Sequence, residues 1–123
     1  MGRYYHGDIE GKFMFAVQSS ADADFFGVQG QEAYLHYYFD KDHMTSIEEG
    51  IKTCKIELGS WRKKLDKFFK KNNGWNDKML EDQISLSPEK SKGILKWYAR
   101  LGLGQKIKKC VEKNEQCSFE AEL

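Results

Sequence analysis

The sequence predicts an α+β fold, in which a small antiparallel sheet of three to four strands is covered by a long amphipathic helix and two to three shorter helices. Aromatic-rich, strand-like segments fill residues 3–39, lysine-rich helical patterns fill most of the rest, and residues 117–123 alternate between apolar and polar side chains. Formal charge divides in the same way. Residues 1–50 carry three basic and nine acidic side chains, whereas residues 51–123 carry seventeen and ten. A chain of 123 residues fits a single domain with one core.

Residues 12–18 form the clearest predicted strand, because apolar side chains lie on both of its faces. Residues 3–6 precede it, and residues 7–11 have the glycine and aspartate content of a hairpin turn. Residues 34–39 are a third candidate strand. Residues 117–123 have one apolar and one polar face, which predicts a fourth strand added at an edge of the sheet. The two ends of the chain would then share one sheet.

Between these strands, Ser20 is predicted to cap a single helical turn that ends at Gly27. Asp22 and Asp24 lie in the first turn, where the helix dipole favours negative charge. This position gives a structural explanation for two carboxylates that could otherwise be taken for a catalytic pair.

Thr45 and Glu48 have the spacing of a capping box and predict the start of a long helix over residues 46–72. An apolar stripe then recurs at alternating steps of four and three, which is the spacing of one helix face. The stripe consists of Ile47, Ile51, Cys54, Leu58, Trp61, Leu65 and Phe68. Packing of this stripe on the sheet is the preferred interpretation, and a coiled-coil dimer seam is the alternative.

Further start and stop signals divide the rest of the helical half. Asn76 is expected to cap a short helix, and Ser87 followed by Pro88 starts another. The apolar pattern loses its phase at Gly102, so this glycine is interpreted as a C-cap. The helices predicted in this way cover residues 77–83, 88–101 and 105–113.

The helical half presents a basic face opposite the predicted core. Ile56 lies among its lysines without a packing reason and suits a partner with both acidic and apolar groups. Charge-separated surfaces also favour oriented association, including self-association of copies. A solvated surface without a partner is the competing interpretation. The residues predicted to bind protein or nucleic acid are Lys52, Ile56, Lys63, Lys67, Lys70, Lys92, Lys96 and Arg100.

Non-specific nucleic-acid binding through this face is the alternative function, because lysines neutralise phosphates without any motif. The sequence pI near 7.7 argues against it, and so does the presence of only Arg62 and Arg100 as arginines in the helical half. A helix-turn-helix is not supported. Glu81, Ser85 and Ser91 stand where that motif has a small residue, a glycine and an apolar residue.

No catalytic residue, metal ligand or cofactor is predicted. The turns around His6, Asp8 and His43 would form an active site only if they gathered in one cleft, and their spacing matches no ligand motif. The glycine-rich loops that cradle phosphates are absent from the sequence. The cysteines expected to be free thiols are Cys54, Cys110 and Cys117. A bridge between the last two is the alternative.

A cytoplasmic protein without membrane contact is expected. No apolar run approaches the roughly 20 residues that cross a bilayer. The first residues lack the apolar segment of a signal peptide, and His6 occupies the position where a myristoylation motif has serine or threonine.

Four segments of the chain carry a resemblance to known proteins: RYYHGDIEGKF at residues 3–13, DFFG at 24–27, WYARL at 97–101 and CSFEAEL at 117–123. They resemble small uncharacterised proteins of large DNA viruses and phages. The resemblance implies a virus-encoded protein of the host cytoplasm or the virion, and it attaches no activity or functional residue. The acidic and basic halves, the exposed Ile56 and the lack of catalytic motifs predict a non-enzymatic protein-interaction module. With the viral setting that the resemblance implies, this module would be a minor virion component or a binder of a host protein.

Overall fold

The structure is a computed structural model that describes residues 3–14, 17–29 and 35–121 of the 123-residue chain. Within these residues the strands are β1 (Tyr4–Gly7), β2 (Gly11–Lys12), β3 (His36–Asp40) and β4 (Gln116–Ala121). The α-helices are α1 (Met44–Leu58), α2 (Trp61–Lys71), α3 (Asp77–Ile84) and α4 (Pro88–Asn114). Short 3₁₀ helices cover Asp22–Phe26 and Lys41–His43. The predicted α+β class is confirmed.

The strands form one antiparallel sheet in the order β2-β1-β4-β3. The C-terminal strand β4 is therefore central, whereas the sequence predicted it at an edge. Its apolar face is buried, since Cys117, Phe119 and Ala121 are each at most 1% exposed. β3 pairs with β4 over residues 116–120 and β1 pairs with it over residues 119–121, so β4 has a neighbouring strand on each side.

β2 is shorter than the strand predicted over residues 12–18. The buried Gln18 side chain accepts a hydrogen bond from the Met14 backbone N–H at 2.9 Å, and the Gln18 N–H donates to the Met14 carbonyl at 3.0 Å. These bonds between residues 14 and 18 compete with pairing in the sheet. Residues 15 and 16 lie outside the described residues.

The helix predicted over residues 46–72 is divided into α1 and α2 at Gly59 and Ser60. Gly59 adopts φ 54° and ψ −130°, which residues with a Cβ rarely adopt, and the helical bonding stops there. The predicted apolar stripe is nevertheless buried throughout, except for the partly exposed Trp61. α1 also begins after a 3₁₀ helix capped by an aspartate, so Thr45 is not its cap.

α4 is one helix of 27 residues where the sequence predicted two, over residues 88–101 and 105–113. Gly102 and Gly104 lie inside it, so the predicted C-cap is wrong. Packing explains Gly104, because a Cβ there would lie 2.4 Å from the Phe26 ring. A Cβ at Gly102 would meet nothing within 4 Å, so no contact requires glycine at that position.

Three other predicted boundaries are confirmed, and one predicted cap is wrong. The Asn76 side chain accepts a hydrogen bond from the Met79 N–H at 2.8 Å at the start of α3, and Pro88 is the first residue of α4. Gly27 ends the first 3₁₀ helix with φ 104°. Ser20 does not cap that helix, whose N-cap residue makes no side-chain bond.

Of the α-helices, α4 makes the main contact with one face of the sheet, and α1 packs mainly on α4 and on the first 3₁₀ helix. The predicted packing of the residue 46–72 stripe on the sheet is therefore replaced in large part by packing on α4. Phe26 packs between α1 and α4, because neither Gly50 nor Gly104 carries a side chain that would meet its ring. On the sheet, the rings of Tyr37 and Phe119 stack with their centroids 5.3 Å apart. No helix in the described ranges is both long and apolar enough to span a membrane.

Candidate functional site

Positive charge is densest on α2. This helix of eleven residues includes six basic side chains and one acidic side chain, and its buried face consists of Leu65 and Phe68. The basic residues are Arg62, Lys63, Lys64, Lys67, Lys70 and Lys71. The five lysines are exposed and Arg62 is partly buried. Lys70 and Lys71 lie in the last turn, where the helix dipole favours cations, but the dipole does not explain the other four.

No carboxylate pairs with these cations within the described residues, although the Lys64 ammonium lies 4.6 Å from the centre of the Trp61 ring. The lysine and arginine side chains with a carboxylate within 4 Å there are Lys41 and Arg100, and neither belongs to α2. Asp66, the acidic residue of α2, accepts a hydrogen bond from the Tyr98 hydroxyl at 2.7 Å. Burial and this bond raise the pKa of Tyr98. The charge of α2 is therefore available to a partner.

A cleft lies between α2 and the end of α3, with a volume of about 580 Å³. Its lining includes Lys64, Lys67, Lys71, Gln83, Ile84 and Ser85. Asn72 holds the two walls together, because its side-chain amide donates to the Phe68 carbonyl at 2.8 Å and to the Gln83 side chain at 3.0 Å. Ile84 is partly exposed, so the cleft combines three amines with an apolar contact.

The break at Gly59 divides the predicted basic face between two helices. Lys52 and Ile56 lie on α1, and Ile56 is 67% exposed. Lys52 borders a shallow depression of about 470 Å³ that also contains Glu48 and Glu49, so the charge around it is mixed. Lys52 and Ile56 therefore belong to a different helix from the lysines of α2.

The remaining predicted lysines are exposed on two helices. Lys63, Lys67 and Lys70 lie on α2, and Lys92 and Lys96 lie on α4. Sequence reasoning did not select Lys64 and Lys71, because it chose lysines opposite the apolar stripe of one continuous helix. The cleft forms instead where the end of α3 packs near α2, and the local sequence pattern does not predict where these two helices meet.

Arg100 lies in the interior rather than on the basic face. Its Nε donates to Asp22 at 2.7 Å, and the two side chains are 12% and 1% exposed. The other carboxylate oxygen of Asp22 accepts a hydrogen bond from Gln18 at 2.8 Å. The guanidinium carbon lies 4.4 Å from the centre of the Phe25 ring and 4.8 Å from that of Trp97. Arg100 therefore has a structural role, and it supplies the partner that sequence reasoning did not find for Asp22.

His43 lies on the other side of β4 from His6 and Asp8, whereas His6 and His36 lie 3.7 Å and 3.8 Å from the Glu120 carboxylate of β4. β4 separates β1, which carries His6, from β3 and the turn that carries His43. His43 accepts a hydrogen bond from the Asp40 N–H at 3.1 Å, and the Asp8 carboxylate accepts one from the Ser118 N–H at 2.9 Å. Among the described residues, no group of three histidine, cysteine or acidic side chains is arranged to hold a metal ion.

The three cysteines are free and buried, as predicted for free thiols. Burial raises the pKa of Cys54 to about 11. Burial also raises the pKa of Cys117, and a hydrogen bond with Cys110 adds to this effect. Thiols held in the protonated form are weak nucleophiles at neutral pH, so Cys54 and Cys117 have the properties of core residues.

No protein family, curated protein or solved structure matches this chain. Its function is therefore inferred from the geometry of the described residues.

Proposed function

We propose that this protein is a non-enzymatic protein-interaction module that binds an acidic segment of a partner protein at α2. The observation that carries the proposal is the set of six basic side chains in eleven residues, none of which has a carboxylate within 4 Å in the described part of the chain. Lys64, Lys67 and Lys71 attract the acidic groups of the partner, and Ile84 contacts one of its apolar side chains.

An acidic protein suits this surface better than a nucleic acid. Phosphate recognition favours the planar guanidinium of arginine, but Arg62 is partly buried and Arg100 is paired internally. Proteins that bind single strands also place free aromatic rings in a basic groove. On α2, the Phe69 ring stacks on the ring of Tyr98 from α4, with the two ring centres 5.5 Å apart. The Lys64 ammonium lies 4.6 Å from the centre of the Trp61 ring. These rings are engaged within the molecule.

Fluorescence anisotropy with a labelled peptide of glutamates and one central leucine tests the proposal. The cleft variant replaces Lys64, Lys67 and Lys71 by glutamate. The control variant replaces the exposed Lys90, Lys109 and Lys113 of α4 by glutamate and has the same net charge. We expect the cleft variant to weaken peptide binding by about tenfold or more and the control by about twofold or less, because exposed ion pairs contribute about 0.2–1 kcal/mol each.

Equal losses in the two variants would show that only net charge matters and would contradict the proposal. Labelled single-stranded and duplex DNA, titrated at low and moderate salt, supply the second comparison. Binding of DNA that is tighter than binding of the peptide and falls steeply with salt would support the nucleic-acid alternative instead.

The cellular setting that we propose is the cytoplasm of an infected host or the virion, on the basis of the sequence resemblance alone. Affinity purification from the native source followed by mass spectrometry tests it. Recovery of virion or host proteins with the wild type, and their loss with the cleft variant, is the expected result.

A further inference from the structure

A groove that shares no lining residue with the α2 cleft runs along α4. Its volume of about 840 Å³ lies within the range of about 300–1,000 Å³ that is common for small-molecule sites. Lys92 and Lys106 lie on its α4 side and are separated by about 21 Å of helix axis. The other walls come from the β1–β2 hairpin and from residues 73–77, which lead into α3.

The middle of the groove is apolar and open. Partly exposed side chains of Met14, Trp75 and Tyr98 line it. Gly102 is exposed at its floor, inside α4, and a Cβ there would meet nothing within 4 Å. Glycine destabilises a helix relative to alanine, and no packing contact requires it here. The absence of a side chain at residue 102 leaves room for a ligand.

One end of the groove carries a fixed ammonium group. The Lys106 Nζ donates to the Tyr5 hydroxyl at 2.9 Å and to the Glu10 carbonyl at 3.0 Å. Gly11 makes this arrangement possible, because a Cβ there would lie 2.4 Å from the Tyr5 hydroxyl oxygen and 2.7 Å from the Lys106 Nζ. An ammonium group has three donors, and these two acceptors are both neutral. Lys106 has no carboxylate within 4 Å in the part of the chain that the structure describes.

The charge of the groove is positive overall. Lys12, Lys92 and Lys106 line it, together with Asp77 as the carboxylate among its described lining residues. The Lys12 ammonium lies 5.9 Å from the centre of the Tyr4 ring, on the exposed side of the sheet. Lys106 is therefore the cation that the structure holds in place at the groove.

We propose that this groove binds a small amphipathic anion. A carboxylate or phosphate head pairs with Lys106, and an apolar body lies over Gly102 against Trp75 and Tyr98. The positive charge of the groove complements the head, and its apolar walls complement the body. This site goes beyond the proposed protein-interaction function, because it uses none of the α2 lysines.

Three probes test the chemistry: naphthyl phosphate, naphthaleneacetate and the neutral naphthaleneethanol. Amide NMR titration of the full chain is expected to show saturable binding of both anions, with shifts at the Trp75 indole N–H and the Gly102 amide. The neutral alcohol is expected to bind about tenfold more weakly, because it makes no charge-assisted bond to Lys106. The relative affinities of the two anions identify the preferred head group.

Two pairs of variants locate the site. Gly102→Leu fills the groove, whereas Gly93→Leu adds the same side chain to α4 at a position that also has open space and lies outside the groove. Gly102→Leu is expected to weaken all three probes by about tenfold or more, and Gly93→Leu to leave them unchanged. Lys106→Met is expected to weaken only the two anions, and the exposed Lys109→Met to weaken neither.

Three results would overturn the proposal: no saturable binding to the wild type, equal binding of the neutral and anionic probes, or equal effects of the variants within either pair. Circular dichroism verifies the fold of each variant. If Gly102→Leu does not fold, the comparison of Lys106→Met with Lys109→Met tests the proposal. The α2 cleft variant is expected to bind the probes like the wild type. Failure at this groove is therefore distinguishable from failure of the proposed function.

Discussion

The buried ion pair between Asp22 and Arg100 connects two side chains that are far apart in the sequence. One carboxylate oxygen of Asp22 accepts a hydrogen bond from Arg100 at 2.7 Å, and the other accepts one from Gln18 at 2.8 Å. The Asp22 side chain is 1% exposed, so its charge depends on Arg100 for compensation. The pair joins the first 3₁₀ helix to α4, across the place where Phe26 packs between α1 and α4.

Replacement of Arg100 by methionine is expected to lower the free energy of unfolding by about 3–5 kcal/mol, because it leaves a buried carboxylate without a counter-charge. Chemical denaturation measures the change. The exposed Lys96→Met on the same helix is the matched control, with an expected change within about 0.5 kcal/mol. Adding Asp22→Asn to Arg100→Met removes the buried charge and should restore part of the loss. A double variant no more stable than Arg100→Met would contradict this role.

Alkaline pH is expected to destabilise the protein through its buried thiol and phenol groups. Burial raises the pKa of Cys54 from 9.0 to about 11, and it also raises the pKa values of Tyr37 and Tyr98. Because the unfolded chain releases these protons first, the contribution of Cys54 is complete below about pH 9 and decreases as the pH rises to about 11. Denaturation midpoints measured across this window test the effect.

The variant Cys54→Ala isolates the thiol in that experiment. Its stability is expected to fall less steeply than that of the wild type over the same pH window, because the tyrosines and lysines still titrate in both proteins. Parallel curves for the two proteins would contradict the assignment to Cys54.

At the scale of elements, periodicity predicts which faces are buried but not where the helices end. The stripe from Ile47 to Phe68 packs into the core, although Gly59 interrupts the helix that carries it. α4 continues through Gly104 because Phe26, distant in sequence, occupies the space of the missing side chain. A contact with a residue distant in sequence is not visible in the local pattern, so that pattern predicted a helix end at Gly102.

For the candidate site as well, the sequence predicted the general feature but not the geometry. The abundance of lysine predicted a basic surface, but the cleft depends on the contact between the ends of α2 and α3, where Asn72 and Gln83 meet at 3.0 Å. Arg100 was predicted on the basic face because it lies among lysines in the helical pattern. Its partner Asp22 belongs to a short 3₁₀ helix whose position against α4 follows from the tertiary fold alone.

The crossing of α1 and α4 is tested by Gly104→Ala. We expect a net destabilisation of about 1–3 kcal/mol, because the new Cβ would lie 2.4 Å from the ring of the fully buried Phe26. Gly93→Ala on the same helix has no such neighbour and is expected to stabilise by about 0.5–1 kcal/mol. Denaturation midpoints of both variants provide the measurement. Shifts in the same direction would contradict the packing explanation.

The whole molecule is electrically asymmetric, but its positive pole is narrower than the sequence suggested. α1 carries three acidic and two basic side chains, and α3 carries three acidic and one basic. The excess positive charge is therefore concentrated on α2 and α4 rather than spread over all the helices. Oriented docking of an acidic partner would accordingly be directed toward the positive helices, and the contact that we propose there is the α2 cleft.

The topology makes β4 the strand on which the whole molecule depends most. It lies between β1 and β3, and its Phe119 contacts the rings of Tyr5 and Tyr37 from these two neighbours. Removal of residues 117–123 is expected to unfold the chain, because it separates the β1–β2 hairpin from β3, and an isolated hairpin is marginally stable at best. Thermal melting followed by circular dichroism provides the measurement.

Phe119→Ala keeps the backbone of β4 and is expected to lower the free energy of unfolding by about 3–5 kcal/mol while preserving a cooperative transition. The contrast matters because the two changes remove different contributions: the truncation removes the pairing that unites the sheet, and the substitution removes only one buried ring. A truncated chain that melts at the wild-type temperature would contradict the central position of β4. It would also remove the reason for the placement of Tyr5, and with it the support for Lys106 at the end of the groove.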